Sequence, residues 1–166
     1  MIVNIALLTV TDTRTFDNDK SGAILVEKIK EANHNLIDRK ICKDNKDDII
    51  LILKDWINKK DIDVVITTGG TGLTGRDSTP EAIIEMADKI IDGFGELFRQ
   101  LSYEKIGTST IQSRAVAGVI NNTYIFALPG SPGACNDGWD LILKYQLDIR
   151  HKPCNFIEIM PRLKEK

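Results

Sequence analysis

Four apolar runs of strand length recur along this chain, each followed by residues whose apolar members return at helical spacing. The runs are Ile2 to Val10, Leu36 to Cys42, Asp63 to Thr68 and Tyr124 to Leu128. Between them, Gly22, Leu25, Val26 and Ile29 predict one helix, and Ile49, Ile52, Leu53 and Trp56 a second. Thr79 to Lys89 reads as a third helix, and Phe94, Leu97, Phe98 and Leu101 mark a fourth. Ser113 to Val119 reads as a short helix of small residues, and Trp139, Ile142 and Leu143 begin the last helical face. Such alternation with short connections predicts a three-layer α/β fold, a mostly parallel sheet with helices on both faces. At 166 residues, with no linker and no internal repeat, the expectation is a single domain over residues 1–166.

In sheets of this kind, ligands bind outside the carboxyl ends of the strands. Four polar clusters follow the predicted strands: Thr11-Asp12-Thr13-Arg14, Lys43-Asp44-Asn45, a glycine loop running to Asp77, and Pro129-Gly130-Ser131-Pro132. The glycine loop is the richest of them. Thr67-Thr68-Gly69-Gly70-Thr71-Gly72 continues directly from Val64-Val65-Ile66, and without side chains its glycines let successive N–H groups converge on an anion. Arg76 and Asp77 come next, and Ser78-Thr79-Pro80-Glu81 reads as a helix start with a capping hydroxyl. The order predicts a phosphate site with room for a metal, although a glycine-rich turn also serves simply to reverse a chain.

Better-known phosphate motifs do not account for the loop. A P-loop ends in Gly-Lys-Ser/Thr, and no lysine occurs between Lys60 and Lys89. Gly70-x-Gly72-x-x-Gly75 has dinucleotide spacing, but the helix begins too late and no following strand ends in a suitably placed acid. Asp44 and Asp77 are the candidates for holding Mg²⁺, which prefers hard oxygen ligands and retains waters. Each has an alternative reading as a helix N-cap. In Ser113-Arg114-Ala115-Val116-Ala117-Gly118, Arg114 either clamps a phosphate or forms a surface ion pair.

Other features exclude more than they suggest. Asp17 to Gly22 imitates the start of a calcium loop, but position twelve is Lys28 and not glutamate, so a polar turn before a helix is expected. Cys42, Cys135 and Cys154 are scattered and odd in number, which argues against disulfides and a zinc site. His34 and His151 are too few for a histidine-based centre and read as packing or surface residues. The net charge of −2 supplies no electrostatic case for nucleic acid or an anionic membrane as partner. Met1 to Leu8 reads as a strand and not a leader, and no stretch reaches transmembrane length, so a cytoplasmic protein is expected.

These motifs, in this order, resemble the MoaB/MogA family of molybdenum-cofactor biosynthesis proteins. The resemblance rests on Thr67 to Gly72 with Arg76-Asp77-x-Thr79-Pro80-Glu81-Ala82, then Gly93-Phe94-Gly95-Glu96-x-Phe98-Arg99. It continues through Ser113-Arg114-Ala115-x-Ala117-Gly118 and Leu128-Pro129-Gly130-Ser131-Pro132. Gly107 to Gln112 and Lys152-Pro153-Cys154-Asn155-Phe156 resemble the MoaB branch.

The resemblance implies a molybdopterin-binding domain whose active members use ATP and Mg²⁺ to make adenylyl-molybdopterin and release pyrophosphate. It implies homotrimers, or hexamers built as pairs of trimers. The family's two essential aspartates fall on Asp44 and Asp77 and its active-site serine on Ser113. Substrate phosphates would then meet Thr68, Gly69, Gly70, Thr71 and Gly72, with Arg76, Arg114 and the Pro129-Gly130-Ser131 turn. Lys43-Asp44-Asn45 replaces the Pro-Asp-Glu/Asp of clearly catalytic members, and Ala127 stands where many have asparagine. Inactive MoaB-branch proteins often lack the Arg-Asp pair, which this chain keeps as Arg76-Asp77. A non-catalytic molybdopterin-binding protein is the alternative reading.

Overall fold

The computed structural model describes residues 1–165. Six strands form one sheet: β1 (Asn4–Val10), β2 (Asn35–Cys42), β3 (Val64–Thr68), β4 (Lys89–Ile90), β5 (Val116–Ile120) and β6 (Thr123–Leu128). Their order across the sheet is β2-β1-β3-β6-β5-β4. The pairs β1–β2, β1–β3 and β3–β6 are parallel, whereas β5–β6 and β4–β5 are antiparallel. The sheet is therefore mixed, parallel through its centre and antiparallel at one edge.

Helices α1 (Lys20–Glu31), α2 (Lys46–Ile57), α3 (Thr79–Met86), α4 (Asp92–Ile106) and α5 (Pro132–Gly138) cover it. Side chains alternate along each strand, so β1 sends Ile5 and Leu7 to one face and Ala6, Leu8 and Val10 to the other. The first face packs on Leu25 and Ile29 of α1 and Phe94 and Phe98 of α4. The second packs on Ile49, Leu53 and Trp56 of α2 and Ala82 and Ile83 of α3. Burial on both faces explains why β1, β3 and β6 read as near-continuous apolar runs.

Two expectations fail here. Ser113 to Val119 does not form a helix; Val116–Ile120 is a strand, hairpinned to β6. Asn121 (φ 46°) and Asn122 (φ 68°) turn the chain between them with two positive φ angles, the arrangement a tight two-residue hairpin needs. Valine and isoleucine on the flanks supply the β preference that Ala115, Ala117 and Gly118 conceal. The helix predicted over Thr79 to Lys89 stops at Met86, because Ala87 is extended (ψ 130°) and Asp88 donates to Val119 O. Lys89 and Ile90 then pair with β5 as the edge strand.

Calcium mimicry ends as expected in a turn: Asp19 caps α1 by accepting from the Gly22 amide at 2.9 Å. Asp19 is almost fully buried, and Thr9 Oγ1 (2.6 Å) and Arg39 (2.9 Å) donate to it. This pins the β1–α1 loop over the sheet.

Candidate functional site

The carboxyl ends of β1, β2, β3 and β6 meet around one cleft of about 830 Å³. All four polar clusters contribute to it: Thr11 to Arg14, Asp44, Gly69 to Asp77 in part, and Pro129 to Ser131. The glycine loop forms its floor. Gly69 (φ 99°) and Gly70 (φ 67°) occupy the left-handed region that glycine alone enters without strain. Space forbids side chains there as well, since a Cβ on Gly69 would lie 2.1 Å from Val10 O. The Gly69 amide itself donates to Leu128 O at 3.0 Å, so it extends the sheet and leaves anion contacts to later amides of the loop.

Asp44 and Asp77 flank this loop, and neither is a helix N-cap. Asn45 caps α2, accepting from the amides of Asp47 and Asp48. Asp44 instead accepts at Oδ1 from the Ser78 amide (3.0 Å) and hydroxyl (2.8 Å). The Ser78 hydroxyl thus does not cap α3, as its sequence position predicts. Asp77 accepts at Oδ2 from the Thr74 amide (2.8 Å) and hydroxyl (2.7 Å), closing a small turn. Cβ atoms on Gly70 and Gly72 would each fall 2.8 Å from an Asp44 or Asp77 carboxylate oxygen, which places both acids against the loop.

Their electrostatic settings differ. Burial pushes the Asp44 carboxyl above its ordinary range; the two Ser78 donors pull it back, and negative Asp77 and Asp12 push it up again. Burial also acts on Asp77, but the Thr74 donors, the Gly72 amide and the Arg114 charge hold its carboxyl below that range. Two carboxylates in unlike environments therefore share one loop.

Arg76 and Arg114 are committed to protein partners. Arg76 forks onto Asp12, with Nε to Oδ2 at 2.9 Å and Nη2 to Oδ1 at 2.8 Å. Asp12 Oδ1 also accepts from the Asp44 amide at 3.1 Å. Arg114 lies behind the loop, not in the cleft; it donates to Gly72 O (2.7 Å) and Asp77 O (3.3 Å) and pairs with Glu81. Of its two sequence readings the ion pair is present, and it tethers the backbone of the loop. Thr68 also lies beneath the cleft, donating to Pro129 O at 3.0 Å. Ser113, Gly70, Thr71, Gly72, Arg76, Pro129, Gly130 and Ser131 line it.

No sequence motif marks the far wall as part of the site. Phe98, Ser102, Lys105 and Ile106 from α4, Gln112, and Asp137 from α5 complete the cleft, with Lys105 paired to Asp137. Phe98 to Ser102 to Ile106, with Lys105, is an i, i+4, i+8 stripe in the sequence, but only the fold turns it toward the glycine loop. Among the described residues no histidine or cysteine lines the cleft. Burial pushes the thiols of Cys42 and Cys135 up to about 12 and about 11, which leaves neither as a nucleophile at neutral pH.

A family model described as "Probable molybdopterin binding domain" matches residues 6–149. Molybdenum cofactor biosynthesis protein B of Escherichia coli (strain K12) is 51% identical over 152 residues, covering 92% of this chain and 89% of that protein. The chain belongs to the MoaB/MogA family of molybdenum-cofactor biosynthesis proteins. The MoaB protein of Bacillus cereus is 48% identical over 133 residues, 80% of this chain and 79% of its own. A crystal structure of a molybdenum cofactor biosynthesis protein B superposes with TM-score 0.90 at 40% identity, covering 100% of this chain and 98% of that one. The tungsten cofactor synthesizing protein MoaB from Pyrococcus furiosus gives TM-score 0.77 at 37% identity, over 86% and 91% of the two chains. The MoaB/MogA fold is thus the three-layer α/β architecture described above, and among the described residues no helix is long and apolar enough to cross a membrane.

Proposed function

We propose that this MoaB/MogA protein adenylylates molybdopterin, using Mg²⁺ and ATP and releasing pyrophosphate. The observation that carries the reading is Asp44 and Asp77 on either side of the glycine loop, in a cleft large enough for two substrates. An oxygen of the pterin's terminal phosphate attacks the α-phosphorus of ATP. The new P–O bond forms as the bond from that phosphorus to the α,β-bridging oxygen breaks, and pyrophosphate departs with the electron pair.

The terminal phosphate is already ionised at neutral pH, so the attack needs no general base. The obstacle is bringing two polyanions together, which positioning and electrostatic stabilisation overcome.

The donor set fits a hard divalent cation. Both hydrogen bonds that Asp44 accepts fall on Oδ1, leaving Oδ2 beside Gly70, and the nearby Asp77 carboxylate adds negative charge that a cation would offset. Among the described residues no group of three or more His, Cys, Asp or Glu forms a protein-only cage. Two carboxylates completed by substrate phosphates and water suit Mg²⁺. Bound by Asp44 and Asp77, Mg²⁺ would neutralise phosphate charge and orient the nucleotide. The amides of Gly70 and Thr71 would donate to phosphate oxygens, and Ser113, held beside the loop by the Arg114 amide bond to Thr71 O, would contact substrate.

Assembly into trimers, or pairs of trimers, is part of the proposal. It is supported by exposed Leu97, Tyr103, Ile106 and Ile111 on and after α4, and sedimentation tests it. Incubating the protein with molybdopterin, Mg²⁺ and ATP should release pyrophosphate only when all three are present. Tight pterin binding without pyrophosphate would favour a carrier instead.

A further inference from the structure

We propose that Arg14, which no sequence motif singles out as a phosphate ligand, binds the terminal phosphate of the pterin substrate. The inference deepens the adenylylation reading and rests on it. The acidic lining residues are Asp12, Asp44, Asp77 and Asp137, and the basic ones are Arg14, Arg76 and Lys105. Arg76 is neutralised by Asp12 and Lys105 by Asp137. What remains is a pair of carboxylates, Asp44 and Asp77, and a single guanidinium, Arg14.

Arg14 is half-buried and forms no salt bridge among the described residues. A partly desolvated, unpaired guanidinium in a cleft is an anion site in waiting, because its charge gains from any oxyanion that enters. Its position is set rather than left to a flexible stem. The backbone amide donates to Thr11 Oγ1 at 3.2 Å, and Nη1 donates to Gly130 O at 2.9 Å and Ser21 Oγ at 3.3 Å. Ser21 Oγ donates to the same carbonyl at 2.7 Å. Among the described residues Nη2 and Nε have no protein acceptor, and they form the edge of the fork that matches a phosphate.

The site is also spatially ordered. Arg14 is anchored to Gly130, which packs against Gly69: a Cβ on Gly130 would lie 3.2 Å from Gly69 Cα. Gly70 and Gly72, later in the loop, adjoin the carboxylates. The loop therefore runs from a cationic end to an anionic end. The anionic end suits the metal-bound phosphates of ATP, and the cationic end suits the phosphate that arrives without a metal, which is the nucleophile.

Binding measured without ATP tests this, with molybdopterin and enzymatically dephosphorylated molybdopterin as the two probes. The wild type should bind the phosphorylated form about tenfold to a hundredfold more tightly, as expected for a lost charge-assisted contact. Arg14→Met should remove that preference and leave the affinity for the dephosphorylated form unchanged, which also shows the cleft intact. Arg14→Lys should keep part of the preference. Retention of the full preference in Arg14→Met overturns the proposal, as does an equal loss of affinity for both forms. A wild type with no preference overturns it too. Failure of adenylyl transfer would appear instead as absent pyrophosphate in the wild type, a separate readout.

Discussion

The two edges of the sheet both carry depressions, and their volumes are close: about 830 Å³ at the carboxyl edge and about 770 Å³ at the amino edge. The contents differ. The amino-edge depression is rimmed by Met1, Ile2, Lys59, Lys60, Asn121 and Lys164, and Lys59 there pairs with exposed Asp55. At the carboxyl edge, Asp44 and Thr71 are buried, left-handed glycines bring backbone close, and acids from distant strands crowd together. Volume alone therefore does not mark a site. Convergence of buried polar groups does, because burying them is unfavourable unless something they bind repays it.

The sharpest contrast is between Asp77 and Lys60. Asp77→Asn should lower the rate of adenylyl transfer about a hundredfold to a thousandfold, with pterin affinity changed only a few-fold. Lys60→Ala should stay within about twofold of the wild type. Steady-state pyrophosphate release with a parallel pterin titration checks both. Equal losses would erase the distinction between the edges.

Within the loop itself, Gly70 and Gly75 form a second contrast. A Cβ on Gly70 would meet Thr79 Oγ1 at 2.4 Å and Asp44 Oδ2 at 2.8 Å, at a φ of 67°. Gly70→Ala should destabilise the fold by about 1–3 kcal/mol and impair transfer. Gly75 has open space around its Cβ position, so Gly75→Ala should change stability by about 0.5 kcal/mol or less. Urea denaturation of the two variants compares them directly.

The unlike carboxylates predict a pH effect. A cation-binding Asp44 must be ionised, and its carboxyl titrates above the ordinary range, so the Mg²⁺ concentration for half-maximal activity should rise on acidification while Asp77 is still charged. Stability has the opposite sign. A raised folded pKa means that ionised Asp44 opposes folding above that pKa, and the penalty vanishes below the unfolded value near 3.8. Asp44→Asn should therefore melt slightly higher than the wild type at neutral pH, with the gap closing toward acid. Melting curves across that range measure it.

How much of this could be read from the chain divides along physical lines. β1, β3 and β6 were legible because strands buried on both faces must be apolar throughout. β5 was hidden by Ala117 and Gly118, and the Asn121-Asn122 turn was the overlooked signal. β4 is two residues long and exists only through its pairing with β5. The glycine loop and both aspartates were visible, since their chemistry is local to short motifs. The fate of the arginines was not: Arg76 meets Asp12 across 64 positions, and Arg14 meets Gly130 across 116. Which cation is left uncompensated is a property of the folded cleft, and no spacing in the chain encodes it.

The most direct test is a single-turnover reaction with excess protein, molybdopterin, Mg²⁺ and ATP labelled at the α-phosphorus. The label should move to the pterin, one per molecule, with an equal amount of pyrophosphate, and Asp77→Asn should bind pterin yet leave it unlabelled. Pterin that binds the wild type and is recovered unlabelled would contradict an adenylyl-transfer site at this edge of the sheet.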